Sequence, residues 1–227
     1  MTMENMFTQI YDNPDNFHAM MECLTSDYVK YITELERRGM LLPCCGNNWV
    51  GQGTFAFSDE MKSDIDDVRL GDIWGYMDSQ ETVGISPEMF KEFFYPYYKR
   101  MSEKFGRLSY GCCEPVHTFW KDSLSKFGNL RKISISPWCD EGYMGEQLRG
   151  SKIIYQRKPS PLYIGGTEYN LDEDGFREHI RKTMKAAAGC KLEITFRDTY
   201  TLNGNLGKPR RAVEIVREET ENTWSKL

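Results

Sequence analysis

At 227 residues, 40% of them apolar and 28% charged, the chain is long enough for one large core or two small ones, and its composition excludes disorder. A net charge of −5, a pI near 5.4 and the absence of a long Lys/Arg run exclude a sequence-independent phosphate-binding surface, so nucleic acid is not an expected partner. No window approaches the roughly 18 apolar residues of a membrane span, and Glu4 and Asp12 stand where a signal core would be apolar, so no membrane partner and a cytoplasmic location are expected.

Seven cysteines, an odd number, fit thiols, ligands or core fillers in a reducing compartment better than a disulfide framework. Cys44-Cys45 and Cys112-Cys113 are adjacent pairs, and such neighbours rarely bridge because the geometry is strained.

Residues 1–13 show no clear periodicity. Pro14 opens an amphipathic helix carrying Phe17, Met20, Met21, Leu24, Val29, Ile32 and Leu35, and Gly39 ends it at a left-handed cap position. Met40-Leu-Leu-Pro-Cys44 reads as a short buried strand running into the glycine-rich Cys45–Gly53 loop. Residues 58–71 are acidic and turn-forming, an exposed excursion. Asp72–Met77 is the next strand, ending in Asp78-Ser-Gln-Glu81. Ser86-Pro-Glu88 starts a helix with Met89, Phe90, Phe93, Tyr97 and Met101 on one face.

After Arg107, the strand-like Leu108–Gly111 runs into Cys112, Cys113, Glu114 and Pro115, with helical sequence from Val116 to Phe127. Leu130–Ile135 is a strand ending in Ser136-Pro-Trp-Cys-Asp140, followed by a short helix around Met144–Leu148. Lys152–Gln156 is a strand ending in Arg157-Lys-Pro-Ser-Pro161. A helix over Asp172–Ala188 is closed by Gly189. Cys190–Phe196 is a strand ending in Arg197-Asp-Thr-Tyr200, and a last helix spans about Pro209–Thr223, with the short basic patch Lys208-Pro-Arg-Arg211 at its start. About six strands alternating with helices predict a single α/β domain over 1–227 with a parallel sheet.

In a parallel barrel the residues just beyond the strands converge on one mouth. They are Cys44, Cys45, Asn47 and Asn48; Asp78, Ser79 and Glu81; Cys112, Cys113 and Glu114; Cys139 and Asp140; Lys158; and Arg197, Asp198 and Tyr200. Five of the seven cysteines lie there, a concentration that favours a site. The competing reading makes each cysteine a small core hydrophobe, Asp78-Ser79 and Asp140 helix caps, His18 and His179 structural, His117 a surface or capping residue, and Tyr95-Pro-Tyr-Tyr98 helix packing. Thiolates and carboxylate at Cys112, Cys113 and Glu114 could serve zinc, with Cys139 or Asp198 completing the shell, although no C-x-x-C or H-x-x-x-H is present. Adjacent strand residues point to opposite faces, so Cys112 and Cys113 share a side only if the strand ends between them, which Gly111 permits.

Asp78-Ser79 followed by Ile85-Ser-Pro-Glu-Met-Phe90 and Pro96-Tyr-Tyr-Lys99, then Leu108–Cys113, Ile135-Ser-Pro-Trp138, Gln156 with Pro161, and Leu192–Arg217 occur in a specific order. With these marks the chain, from about residue 10 onward, resembles the uroporphyrinogen decarboxylase superfamily, in the branch that includes corrinoid-dependent methyltransferases. The resemblance implies a partial (β/α)₈ TIM-type barrel, the C-terminal part only, with Met1 near the middle of a full-length member. An N-terminal barrel half on a partner chain, or a homo-oligomer, would supply the rest.

It further implies methyl transfer between a small-molecule donor or acceptor and a corrinoid (cobalamin) on a partner protein, since this chain has no D-x-H-x-x-G motif of its own. The strand ends offer Cys112, Cys113 and Cys139 as metal ligands, with zinc as the metal, and the resemblance offers Cys112, Glu114 and Asp198 as a modified form of the family's zinc site. Under the resemblance, Glu114 and Asp198 are the catalytic carboxylates. Asn47, Asp78, Ser79, Lys158 and Tyr200 hold polar groups of substrate or corrinoid. The chain departs from the family where Tyr110-Gly111-Cys112 stands in place of an H-x-C pair, where Asp198 falls near the distant cysteine, and where Arg197–Tyr200 lacks the decarboxylases' histidine. The alternatives are a tetrapyrrole decarboxylase and a truncated, non-catalytic barrel half acting as a binding partner.

Overall fold

A threonine and two well-spaced apolar residues make the first helix, α1 (Met3–Asp12): Thr2 Oγ1 accepts from Asn5 N at 3.2 Å, and Met6 and Ile10, one turn apart, are buried. The polar residues between them hide that spacing in the sequence. The computed structural model describes residues 2–58 and 60–226, and the chain divides into two units, Met1–Arg131 and Lys132–Leu227. No helix among the described residues is long and apolar enough to cross a membrane.

In the first unit, α2 (Pro14–Arg37) starts on a proline whose missing N–H needs no partner there, and it buries Phe17, Met21, Thr25 and Ile32. Gly39 closes it at φ 64°, as its position in the sequence implies. The expected strand over Met40–Cys44 is absent: the segment is irregular, with Met40 61% and Leu42 78% exposed. Pro43 lacks the N–H a ladder needs. The glycine-rich loop holds instead a hairpin of β1 (Trp49–Gly51) and β2 (Thr54–Phe55), turned at Gly53 with φ 73°.

The acidic excursion is largely exposed, although Met61, Val68 and Leu70 are buried; Asp59 lies outside the described residues. Glu60 is tied to Arg107 at 2.8 Å and to Arg131 at 2.7 Å. β3 (Trp74–Met77) follows. The helix expected from Ser86 is capped by that serine, whose Oγ accepts from Met89 N at 3.2 Å, but it breaks into α3 (Pro87–Phe93) and α4 (Tyr95–Ser102). Pro96 cannot donate back to the preceding turn.

β4 (Arg107–Tyr110) lies parallel to β3 in the register Trp74↔Arg107 to Met77↔Tyr110. The helical stretch expected over 116–127 shrinks to α5 (His117–Trp120) and a 3₁₀ turn at Leu124–Lys126, because Ser123 between them leaves the helical region at φ −135°.

β5 (Leu130–Ile135) matches its expected bounds and is buried throughout. In the second unit Asp140 caps α6 (Glu141–Leu148) by accepting from Tyr143 N at 2.9 Å. β6 (Ile154–Arg157) pairs parallel with β5 and with β7 (Lys191–Ile194), in the registers Ile135↔Arg157 and Arg157↔Ile194. α7 (Leu162–Gly165) and α8 (Glu173–Ala186) come between β6 and β7, and α9 (Gly207–Asn222) follows β7. Ile164, Phe176, Ile180, Met184, Ala212 and Ile215 form the core of these helices, with Leu192, Ile194 and Phe196 packed on it.

Alternation puts Lys132, Gln156 and Glu193 on the opposite face of the strands. There Lys132 Nζ meets Glu193 Oε2 at 2.6 Å, and Gln156 Nε2 donates to Glu193 Oε1 at 2.7 Å. The strand order of the larger sheet is β3-β4-β5-β6-β7, five strands among the described residues where six were expected, the segment at 40–44 being the one that forms none. The class is α/β with parallel pairing.

Candidate functional site

The parallel register of β3 and β4 makes both strands end at one level, so their exits leave side by side. Gly111 N donates to Met77 O at 2.8 Å, the last rung, and Gly111 then turns the chain at φ 97°, a conformation that suits a residue without Cβ. Beyond it Cys112 is fully buried and Cys113 half-buried, their sulfurs 3.5 Å apart. The turn has thus put neighbouring side chains on one side, as the strand ending before them permits.

Glu114 ties the two exits together. Its Oε1 accepts from Ser79 N and its Oε2 from Cys112 N, each at 2.9 Å, and the residue is 1% exposed. Burial pushes its carboxyl above the ordinary range, with the Asp78 charge adding to the rise, and this outweighs the backbone N–H groups that favour the anion. The expected catalytic carboxylate is therefore also a clamp on the backbone of both loops.

Three tyrosines surround the clamp, and none was singled out as a site residue from the sequence. Tyr76 OH donates to Asp78 Oδ2 at 2.8 Å, and the phenol is raised well above its ordinary value by burial and then by Asp78. Ser79 Oγ and Tyr98 OH are 3.2 Å apart, and burial pushes the Tyr98 phenol to about 12. Tyr110 is fully buried with its hydroxyl in no well-formed hydrogen bond among the described residues, though close enough to Ser79 to feel it. The signal in the sequence was period two: Tyr76 and Asp78 are i and i+2 and share a side.

Asn47 is exposed in the turn before β1; its neighbour Asn48 takes the structural bond, Oδ1 accepting from Cys45 N at 3.1 Å. Cys44 and Cys45 pack beside Ala56, Met61 and Trp74, and burial raises the Cys44 thiol. Both are partly buried, packed at the margin of that small apolar cluster.

In the second unit Cys139 is 8% exposed in the turn after β5, where its N–H donates to Ser136 O at 3.1 Å. Lys158 is 2% exposed and its backbone N–H donates to Ile135 O at 3.0 Å. Asp198 adopts φ 60° and is held by Arg197 Nη2 at 2.9 Å. Tyr200 is 92% exposed, so it encloses nothing.

Arg157, named in the sequence only as a strand end and not as a site residue, is a well-connected cation. It is buried, pairs with Glu141 Oε1 at 2.9 Å, donates to Ser136 O at 2.7 Å, and reaches His179 Nε2 at 3.5 Å. Burial and the Arg157 charge hold the His179 imidazole down at about 4, the neutral form that can accept from a guanidinium.

Zinc needs three or four ligands at fixed distance. Among the described residues no group of three or more His, Cys, Asp or Glu side chains could hold a metal ion. Cys112 and Cys113 supply two thiols, and the described residues do not complete a zinc shell around them.

No protein-family model matches the chain, no curated protein matches it, and no solved structure matches it. The fold defines the class, an α/β protein with parallel strands, and the clamped exits of β3 and β4 define its candidate site.

Proposed function

We propose that the chain is a methyltransferase-type domain moving a methyl group between a small substrate and a corrinoid carrier on a partner protein, with its chemistry at the exits of β3 and β4. The observation that carries this reading is the thiol pair, two sulfurs 3.5 Å apart, fixed by a buried carboxylate that binds both exit loops. The carrier supplies an exchangeable methyl group on cobalt.

The residues of this chain position the other partner. Cys113, the more accessible thiol, and Cys112 behind it form the soft surface against which a methyl donor or acceptor sulfur lies. Asp78, oriented by the Tyr76 hydroxyl at 2.8 Å, takes the proton that a thiol acceptor releases as its bond to carbon forms. The methyl leaves without its bonding electrons, which stay on the carrier, so charge balances. Glu114 is a positioning residue: it acts through the two N–H groups it binds.

The test is anaerobic demethylation of methylcob(III)alamin with 2-mercaptoethanol as acceptor, following loss of the methyl–cobalt absorbance and formation of the S-methyl product. The reading predicts acceleration over buffer, with Asp78→Asn slower by about a hundredfold or more, the usual loss of a general base. A rate equal to buffer for the wild-type chain contradicts it.

A further inference from the structure

A second candidate site, independent of the methyl-transfer reading, is built in the second unit around Lys208. This residue is 2% exposed, and its ammonium donates to the Glu168 carbonyl oxygen. It has no ion pair among the described residues. The contrast within the same basic patch is sharp, since Arg211 is bound by Glu173, Glu214 and Glu218. A buried ammonium satisfied by one carbonyl carries an uncompensated desolvation cost. Lys208 also stands in the first turn of α9, a 16-residue helix with no acid in that turn, so helix dipole and side chain add with the same positive sign.

A cleft of about 590 Å³ opens beside it, lined by Lys208, Tyr163, Leu162 and Thr167 among others. That volume suits a small organic molecule rather than a bare ion. Leu162 is 74% exposed there, an apolar side chain with nothing over it. Glu168 and Asp172 are on the same wall, and Asp172 Oδ1 is already used to cap α8 through Gly175 N at 3.0 Å. Two carboxylates against one ammonium leave room for one anionic head group only, at Lys208, and tolerate an amine elsewhere on the ligand.

We propose that this cleft binds a small organic carboxylate, its head group at Lys208 and its apolar body against Leu162 and Tyr163. A plain fatty acid and an amino acid share that chemistry. Calorimetric titration of the full chain with hexanoate, norleucine and 1-hexanol separates them, because the three share an apolar chain and differ in charge. Hexanoate or norleucine should bind at least about tenfold more tightly than hexanol, the size of a charge-assisted hydrogen bond. Tighter hexanoate means a plain acid and tighter norleucine a zwitterion, and each supports the site.

Lys208→Met should abolish the preference for the acid over the alcohol. Leu162→Ala, at an exposed position that the fold does not need, should weaken all three ligands and serves if Lys208→Met fails to fold. Equal affinity for hexanoate and hexanol, or an unchanged preference in folded Lys208→Met, overturns the proposal. So does hexanoate affinity untouched by Leu162→Ala.

Discussion

Glu114 ionises against its surroundings, and that has a measurable sign. Its folded pKa lies above the ordinary 4.5, so between the two values the folded chain holds a proton the unfolded chain has lost. Its contribution to stability is greatest below pH 4.5 and falls as pH rises through the raised value. Glu114→Gln should remove that fall, seen as a flatter urea midpoint against pH. It should also cost about 1–3 kcal/mol, because an amide NH₂ then faces one of the two N–H groups that the carboxylate accepts.

His179 has the opposite sign. Its folded value near 4 lies below the ordinary 6.5, so its stabilisation is complete above pH 6.5 and is lost as pH falls from there toward 4. His179→Gln should show a smaller loss of stability over that window than the wild type; an equal loss would mean the imidazole is charged in the fold. Neither carboxylate clamp nor neutral imidazole was legible in the sequence. Both shifts come first from burial, and a charge tens of residues away adds to each, Asp78 for Glu114 and Arg157 for His179.

Local grammar was legible at the scale of elements. Ser86 and Asp140 each cap the helix that follows, as does Asp172, which the sequence pattern places inside its helix. An oxygen one atom or two beyond Cβ can reach the N–H three residues on without help from the rest of the chain. Two prolines were undervalued: Pro43 removes the expected first strand and Pro96 splits the helix after Ser86. The hairpin of β1 and β2 was not legible, because its partner is the ring of Tyr76. A Cβ built on Gly51 would stand 2.4 Å from Tyr76 Cγ, so the strand backbone lies directly on that ring. Gly51→Ala should therefore push the hairpin off Tyr76 and cost about 1–3 kcal/mol as overpacking does. The thermal midpoint reads the cost, and an unchanged midpoint would show that the hairpin moves freely.

Across the whole molecule the strand alternation gave the α/β class and the parallel pairing, since each apolar run of four to six residues is followed by a helix. It could not say which strand ends would share a side chain. Cys112, Glu114 and Ser79 are joined by one carboxylate that no spacing rule anticipates, whereas Asn47 and Tyr200, read as equal candidates, are exposed. The ion pair of Lys132 with Glu193 belongs to this scale too. Glu193→Leu would leave a fully buried ammonium without its carboxylate and should destabilise by about 3–5 kcal/mol in a denaturant titration; a loss below about 1 kcal/mol, the value of an exposed pair, would mean that water reaches that face of the strands.

The central claim is that Cys112 and Cys113 act as one reactive centre, aimed the same way by the turn at Gly111. Phenylarsine oxide, whose trivalent arsenic bonds two thiols at once with release of one water, reads that directly by intact mass. The account predicts one arsenical adduct that is present in the wild-type chain and missing from both Cys112→Ser and Cys113→Ser. An adduct count unchanged by either substitution would contradict it.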